Sequence, residues 1–252
     1  MKVFEKDKLK VHSFDTRKEM GVFAASEAAE CIKRLIGERG NIRMIFAAAP
    51  SQNEFLEALI SERDIDWSKI DAFHMDEYVG LAADAPQGFG NFLDRAIFSK
   101  VPFKSVSYIN GQQNPEITCK EYAEKLTSAP IDIVCMGVGE NGHIAFNDPP
   151  VADFNDKEVI KKVKLDEICR NQQVNDGCFA KLSDVPQYAL TLTVPTLMAC
   201  EYVFCVVPAK TKAQAIFDML NGEIGEKCPA TALRNHNKAK LYLDADSSSL
   251  LK

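Results

Sequence analysis

"IDIVCMGVGENGHIAFNDPP", residues 131–150, joins an apolar run to a glycine-rich loop that contains a histidine. The run has the length of a strand and is apolar at nearly every position, which is typical of a strand buried on both faces. Glycine follows it directly, so the chain is expected to turn there. The stretch therefore predicts a parallel sheet covered by helices, with His143 in the loop beyond one strand.

Outward from this strand, strand-like and helical segments alternate over most of the chain. This alternation predicts a single α/β domain over residues 1–252, built as a three-layer sandwich with a mostly parallel sheet and helices on both faces. Ser51 is predicted to be the N-cap of the second helix, with Glu54 three residues later. Residues 150–180 are polar and are expected to form a lid or a surface hairpin. The helical segments are 17–38, 51–62, 90–101, 117–129 and 210–222, and the strand-like segments are 41–50, 67–78, 105–111, 131–139, two runs within 188–209, and 238–246.

Composition and charge argue against a nucleic-acid-binding, membrane or secreted protein. The chain has 252 residues, 46% of them hydrophobic, and a formal net charge of -6. It has no basic run of five or more residues, which argues against a nucleic-acid partner. No apolar stretch reaches the roughly 20 residues that span a bilayer, and the N-terminus lacks a secretory signal, so no membrane is expected. The eight cysteines form no CxxC pair. We therefore expect free thiols and a cytoplasmic location.

Four loops directly follow predicted strands. Ligands of parallel α/β sheets bind beyond the carboxyl ends of the strands. We therefore expect these loops to converge on one crevice. They cover residues 50–54, 74–78, 137–149 and 208–215.

The second loop contains two neighbouring acids, Asp76 and Glu77. In an extended chain neighbouring side chains point to opposite faces, so one acid can face the crevice while the other pairs locally. A carboxylate in a partly dry cleft is suited to act as a general base toward a carbon acid. The alternative is that both acids are structural and cap a helix or pair with a surface lysine.

The third loop contains the candidate proton carrier, His143. Imidazole titrates near neutrality, Asp148 is placed to orient one ring nitrogen, and Asn141 to bond the ring or the substrate. Gly139 belongs to a formal G-x-G-x-x-G pattern, but that pattern lies mid-chain and not after the first strand, which argues against a dinucleotide. A purely structural histidine remains the alternative.

A candidate anion site is spread over three segments. Ser51 and Gln52 precede a predicted helix, whose free amides would stabilise a phosphate. Lys212 follows Thr211 at the start of another predicted helix, and Arg170 offers a fork of donors that matches phosphate oxygens. Each of these residues is, alternatively, solvated surface.

Neither a metal site nor a serine nucleophile is indicated. The four histidines show neither HxH nor HExxH spacing, so we expect no metal. The GxSxG motif of a serine nucleophile is absent.

Taken together, four motifs resemble the glucosamine-6-phosphate deaminase/isomerase family, over about residues 40–245. They are "FHMDEYVGL", "GVGENGHIAFNDP", "VPQYALTLTVPTLMACEYVFCVVPAKTKA" and "CPATALRNH". The resemblance implies a Rossmann-like fold and conversion of an amino-sugar phosphate to fructose 6-phosphate and ammonia, with neither a metal nor an organic cofactor. The related 6-phosphogluconolactonases share the fold and a similar glycine loop, but the "MDEY" run is not expected in them.

The resemblance also implies roles for individual residues. Asp76 would take the C2 proton and return it at C1 through an enolamine. His143 would open the sugar ring, with Asn141 and Asp148 holding and tuning it. Residues 51, 170 and 212 match phosphate-binding positions.

The sequence departs from the family pattern at several places. Its first loop reads "APSQNE", where the family has a glycine-rich phosphate loop. Asp148 replaces the usual Glu, and Asn141 stands where many members have Asp. Asp148 is therefore the only acid of this motif able to raise the basicity of His143. The short C-terminal stretch predicts no allosteric site of the kind found in longer members.

Glucosamine 6-phosphate is the expected substrate, and galactosamine 6-phosphate is the first alternative, because the changed loop could favour another epimer. A non-catalytic sugar-phosphate sensor is a second alternative, because the fold resembles effector domains of sugar-operon repressors. The first 40 residues offer one helix and no helix-turn-helix, and a sensor needs neither a carbon-acid base nor a ring-opening histidine. The oligomeric state is left open, with a homo-oligomer as one option.

Overall fold

A twisted sheet of eight strands forms the centre of the molecule, and the computed structural model describes residues 1–251 of the chain. The strands are β1 (Lys2–Lys6), β2 (Leu9–Ser13), β3 (Ile42–Phe46), β4 (Ile70–His74), β5 (Asp76–Tyr78), β6 (Ser105–Ser107), β7 (Ile133–Met136), β8 (Ile160–Lys164), β9 (Tyr188–Leu192), β10 (Tyr202–Val207) and β11 (Ala239–Leu243). The order in the main sheet is β1-β2-β11-β10-β7-β3-β4-β6. All neighbours in it are parallel except β1 and β2.

Helices cover both faces of this sheet. They are α1 (Arg17–Arg39), α2 (Asn53–Ser61), α3 (Phe89–Leu93), α4 (Pro115–Thr127), α5 (Glu167–Asn175), α6 (Val194–Met198) and α7 (Ala213–Asn221). One core cluster contains side chains of α1 and α2, and the other contains side chains of α4 and α7. The predicted α/β sandwich with a mostly parallel sheet is confirmed.

The central strand β7 shows how the sheet is buried on both sides. Ile133 and Cys135 belong to one core cluster, while Val134 and Met136 belong to the other. Successive side chains of a strand point to opposite faces, so an all-apolar strand packs against both layers. The apolar pattern of residues 131–136 was thus a sound basis for predicting a parallel sheet.

A second, three-stranded antiparallel sheet has the order β5-β9-β8 and was not predicted. The prediction of one strand over residues 67–78 is wrong. The chain forms a 3-10 turn at Trp67–Lys69 and then β4, and it leaves the main sheet after His74. Asp76 then pairs with Thr191 of β9. The small sheet carries the acidic "DEY" segment across the carboxyl ends of the main strands.

Two local predictions need correction, and one hairpin was not predicted. The first 40 residues contain the β1-β2 hairpin before α1, whose N-cap is Thr16 in a capping box. Ser51 is not a helix N-cap, because Pro50–Gln52 forms a 3-10 turn and α2 begins at Asn53. The predicted helix over 90–101 is divided into α3 and a π-helical turn, Asp94–Phe98.

Residues 150–180 contain β8 and α5, and so are neither a simple hairpin nor unstructured. Asp166 caps α5, because its side chain accepts a hydrogen bond from the Glu167 amide. This arrangement places α5 beside the loop that contains His143.

All eight cysteines are free thiols, as predicted, and six of them are buried. Within residues 1–251, no helix combines the length and the apolar character needed to cross a membrane.

Candidate active site

The four loops that follow strands converge on one crevice, as the sequence predicted. It contains about 500 Å³ of empty space, including volume open to solvent. Ala47 to Ala49 and Ser51 to Gln52 come from the first loop, Asp76 from the second, Gly139 and His143 from the third, and Lys212 from the fourth. The carboxyl ends of β3, β4, β7 and β10 bring these loops together.

The Asp76 side chain faces the crevice and is only 5% exposed. Within residues 1–251, no donor forms a hydrogen bond to its carboxylate. Burial, and then the negative charge of Glu77, raises the pKa of Asp76 well above its ordinary value. A carboxylate with a raised pKa and no fixed proton donor is a strong candidate for a general base.

His74 holds the backbone at Asp76 in place. The ring is fully buried, and its Nε2 accepts from the Ile109 amide at 2.8 Å. Its Nδ1 therefore carries the proton and donates to the Asp76 carbonyl at 2.9 Å. Burial lowers the pKa of His74 to about 4, so the ring is neutral at neutral pH. His74 is thus a structural histidine.

Glu77 points away from the crevice and is structural. Its carboxylate accepts hydrogen bonds from the amides of Tyr78, Phe89 and Gly90 at 2.8–3.0 Å. Two of these amides belong to the first turn of α3, where free N–H groups favour a negative charge. Burial nevertheless raises the pKa of Glu77. The expected division between a crevice-facing acid and a locally paired acid is confirmed.

The His143 ring is held from one side by two oxygens. Its Nδ1 lies 2.7 Å from Asn141 Oδ1 and 3.0 Å from Asp148 Oδ1. Both oxygens are acceptors, so Nδ1 carries the proton. The other ring nitrogen, Nε2, is then a lone-pair acceptor in the neutral ring. The ring lines the crevice, so this nitrogen is available to take and return a substrate proton.

Gly139 provides the space for this ring. A Cβ at position 139 would lie 2.1–2.4 Å from three His143 ring atoms. The Gly139 amide also donates to the His143 carbonyl at 2.9 Å, which closes the loop around the ring. Any larger residue at 139 would therefore push the imidazole out of place.

Asp148 is a buried anion behind His143. Burial alone would raise the pKa of its carboxyl, but the charge of His143 and hydrogen bonds from His143, Asn141 and the Asp166 amide outweigh this effect. The pKa of Asp148 is held below its ordinary value as a result. The shorter acid at this position therefore does reach the ring.

Lys212 brings a buried positive charge to the crevice. The residue is 4% exposed, and within residues 1–251 its Nζ has no hydrogen-bond partner. The nearest carboxylate oxygen, Glu140 Oε1, is 4.0 Å away. Burial lowers the pKa of Lys212, while Asp176 and Glu140 partly oppose this effect. A buried ammonium group without a hydrogen-bond partner is costly, and a bound anion would supply such a partner.

Other polar groups line the same crevice. Gln52 Nε2 donates to the Val206 carbonyl and to Ser51 Oγ, while its buried Oε1 has no partner within residues 1–251. Gln172 and Gln173 reach the crevice from α5 and were not predicted. Only the packing of α5 against the histidine loop reveals them.

Arg170 does not lie in the crevice, unlike the other predicted anion-binding residues. Its Nη2 donates to the carbonyls of Leu182 and Val185 at 2.8 Å. It lines a neighbouring pocket with Asp148 and Asp166. In this geometry the guanidinium stabilises the segment after α5.

Among residues 1–251, one group of three side chains offers metal-ligand atoms within 4.8 Å of one another: His143, Asp148 and Cys169. The histidine and the carboxylate already bond each other, and burial raises the pKa of the Cys169 thiol well above its ordinary value. The predicted absence of a metal stays a prediction.

The crevice combines a buried carboxylate, a histidine held by hydrogen bonds and a buried lysine. Together with the fold, these groups define an α/β enzyme for a small anionic substrate. The sequence matches the family model described as glucosamine-6-phosphate isomerases/6-phosphogluconolactonase over residues 15–243. The chain belongs to this family.

The chain is also similar to individual proteins named as glucosamine-6-phosphate deaminases. The chain is 33% identical to a glucosamine-6-phosphate deaminase of Listeria welshimeri over 228 residues, 90% of this chain and 95% of the relative. It is 34% identical to one of Bacillus cereus over 194 residues, 77% of this chain and 72% of the relative.

Solved structures agree in fold. A monomeric glucosamine-6-phosphate deaminase superposes with a TM-score of 0.85 at 28% identity, covering 95% of this chain and 99% of that chain. A 6-phosphogluconolactonase of Thermotoga maritima has a TM-score of 0.77 at 19% identity, covering 94% and 100%, and shows the fold alone.

Proposed function

We propose that this protein is a glucosamine-6-phosphate deaminase, which converts glucosamine 6-phosphate and water to fructose 6-phosphate and ammonia. The observation that carries the proposal is that Asp76, His143 and Lys212 line one crevice. The reaction needs a carbon-acid base, a ring-opening proton carrier and a group for the phosphate. The identities with deaminases support the same assignment.

The phosphate is proposed to bind at the Lys212 end. Its negative charge would satisfy the ammonium group, which has no hydrogen-bond partner within residues 1–251. Ser51 and Gln52 also line the crevice, and Ser51 offers a hydroxyl donor. Gly139 also lines the crevice and would let the backbone come close to the sugar. Arg170 would join this site only if α5 moved, which fits the prediction that residues 150–180 act as a lid.

His143 is proposed to open the sugar ring. Its Nε2 takes the proton from O1 and delivers it to the ring oxygen as the C1–O5 bond breaks. The Nδ1 proton stays between Asn141 and Asp148 throughout, which fixes the tautomer and stabilises the imidazolium that forms transiently. The result is the open-chain amino aldehyde.

Asp76 is proposed to carry out the isomerisation. Its carboxylate removes the C2 proton, which is acidified by the C1 aldehyde, and O1 takes up a proton from water, so that an enolamine forms. The same carboxyl returns a proton to C1, which leaves an imine at C2. Water adds to C2, the C–N bond breaks, and ammonia and fructose 6-phosphate leave. These steps use only side chains and water, so the proposal includes neither a metal nor an organic cofactor.

We propose that the reaction takes place in the cytoplasm, in line with the free thiols of the chain. The proposed partner is the small substrate alone, without nucleic acid or membrane. A homo-oligomer remains an option, although the solved relative is described as monomeric.

The deciding experiment measures ammonia and ketose phosphate together, from glucosamine 6-phosphate and separately from galactosamine 6-phosphate. We expect equal amounts of both products from the glucosamine sugar. Products from galactosamine 6-phosphate alone would identify that epimer as the substrate. Tight binding without products from either sugar would favour a sensor, and hydrolysis of 6-phosphogluconolactone alone would favour a lactonase.

A matched pair of lysine variants tests the phosphate site. Lys212→Gln removes the buried ammonium group, whereas Lys210→Gln removes an exposed one two residues earlier. We expect Lys212→Gln to raise KM about 100-fold, since a buried charged contact contributes a few kcal/mol to binding. Lys210→Gln should leave KM within about twofold, because exposed charges contribute little. Equal effects of the two changes would contradict the assignment.

A further inference from the structure

We propose that Asp166 is a positioning residue for the ring-opening histidine and acts through Asn141. The amide of Asn141 lies between the histidine on one side and two carboxylates on the other. The catalytic part of this proposal rests on the proposed function, whereas the coupling between Asn141 and Asp166 does not.

The orientation of the Asn141 amide is fixed by its neighbours. Its Oδ1 accepts from the His143 backbone amide at 3.1 Å and lies 2.7 Å from the His143 ring nitrogen Nδ1. Its Nδ2 donates to Asp148 Oδ1 at 3.0 Å and to Asp166 Oδ2 at 3.3 Å. A flipped amide would place a donor against the backbone N–H and an acceptor against two anions.

Asp166 is well placed to hold that orientation. Its Oδ1 accepts from the Glu167 amide as the N-cap of α5, and its Oδ2 faces Asn141. Its own amide donates to Asp148 Oδ2 at 3.2 Å. Asp166 thus fixes both partners of the His143 ring, although it does not line the crevice itself.

The same geometry explains why residue 141 is an amide in this chain. A carboxylate at 141 would place an oxygen where Nδ2 now lies, 3.0 Å from Asp148 Oδ1 and 3.3 Å from Asp166 Oδ2. Three carboxylates at such distances repel one another strongly in a buried site. Asn141 and Asp166 are therefore a coupled pair, and Asp166 supplies a second acid, beyond the motif, behind the histidine.

A double-mutant cycle tests this coupling. Asn141→Asp brings three carboxylates together, and Asp166→Asn keeps the cap of α5 but opposes two amide donors. In the double variant, the residue at 166 donates to the carboxylate at 141, and only two acids remain side by side. We expect kcat to fall about 30-fold in Asn141→Asp and about 10-fold in Asp166→Asn. In the double variant kcat should fall only about 30-fold, whereas independent changes would lower it roughly 300-fold.

Three controls separate positioning from loss of structure. KM should stay within about twofold in Asp166→Asn, because Asp166 is outside the crevice. The same variant should turn over an open-chain substrate analogue, whose ring-closing hydroxyls are blocked, as fast as the wild-type protein does. Asp66→Asn also removes one carboxylate charge from an N-cap, that of the 3-10 turn before β4. This turn lies at the end of β4 that is opposite to the crevice, so kcat should be unchanged. The cycle is also measured by urea unfolding, which requires no activity.

Additive effects on both kcat and unfolding would overturn the proposal, and so would equal losses on the closed-ring and open-chain substrates. A coupled unfolding cycle with additive kcat values would make the pair structural only, which also overturns the positioning role. A wild-type protein that released no ammonia would refute the proposed function and remove the catalytic role of Asp166. The unfolding cycle would still decide whether the pair is coupled.

Discussion

Asp76 and His143 face the same crevice but are held in opposite ways. The Asp76 carboxylate receives no hydrogen bond within residues 1–251, and only its backbone is anchored, through the buried ring of His74. The His143 ring is bonded through Nδ1 to both Asn141 and Asp148. The Asp76 carboxylate thus lacks hydrogen-bond donors, whereas the His143 ring is held by two hydrogen-bond acceptors.

The difference fits the role that we propose for each group. A carboxylate becomes a stronger base when burial and a neighbouring charge raise its pKa, and a fixed proton donor would oppose this. A histidine that passes a proton between two sugar oxygens needs one defined tautomer, which only fixed acceptors provide. Changes at the carboxylate should therefore affect proton abstraction, and changes around the histidine should affect ring opening.

The largest effect is expected from Asp76→Asn. The amide has the same shape but cannot take a proton from C2, so kcat should fall about a thousandfold or more. Binding of glucosamine 6-phosphate, measured by calorimetry, should change little, because the phosphate is proposed to bind at Lys212 and not at Asp76. A variant with near-normal turnover would remove Asp76 from the mechanism.

Gly139→Ala should have the next largest effect, because its Cβ would overlap the His143 ring. Displacement of the ring by about 1 Å is expected to lower kcat about 100-fold. The control is Gly37→Ala in α1, where a Cβ would meet nothing within 4 Å. That change should leave kcat unchanged and raise the unfolding free energy by up to about 1 kcal/mol. Similar kcat values for the two variants would contradict the close packing at 139.

The smallest effect is a change in the pH profile of Glu77→Gln. Asp76 acts as a base only when ionised, so kcat/KM rises as pH rises through its raised pKa. The negative charge of Glu77 contributes to the raised pKa of Asp76. Without it the pKa of Asp76 decreases, so the acid limb of the profile should move to lower pH.

The control for this shift is Glu57→Gln, which removes an exposed acid from α2. It should leave the acid limb in place. A limb that moved equally in both variants, or toward higher pH in Glu77→Gln, would show that Glu77 does not tune Asp76.

The sequence predicted those features that depend on neighbouring residues. The run 131–136, apolar at every position except Asp132, identified the central strand, and the loops after such strands identified the crevice. Alternation along an extended chain separated the roles of Asp76 and Glu77. These predictions succeeded because strand periodicity and the geometry of parallel sheets are local rules.

The features that were missed depend on contacts between distant segments. The small sheet joins residues 76–78 to residues 160–164 and 188–192, which no local pattern reveals. Asp166 reaches Asn141 across 25 positions, and Gln172 enters the crevice only because α5 packs beside it. Arg170 was predicted at the anion site from its chemistry and from the family resemblance, but its guanidinium donates to carbonyls of the following segment.

The most direct test of the account follows the C2 proton of glucosamine 6-phosphate by NMR, with the wild-type protein and with Asp76→Asn. We expect the wild-type protein to remove the C2 proton as ammonia and fructose 6-phosphate appear. The variant should bind the sugar and leave that proton in place. Loss of the C2 proton at a similar rate in both proteins would contradict the claim that Asp76 is the base of this crevice.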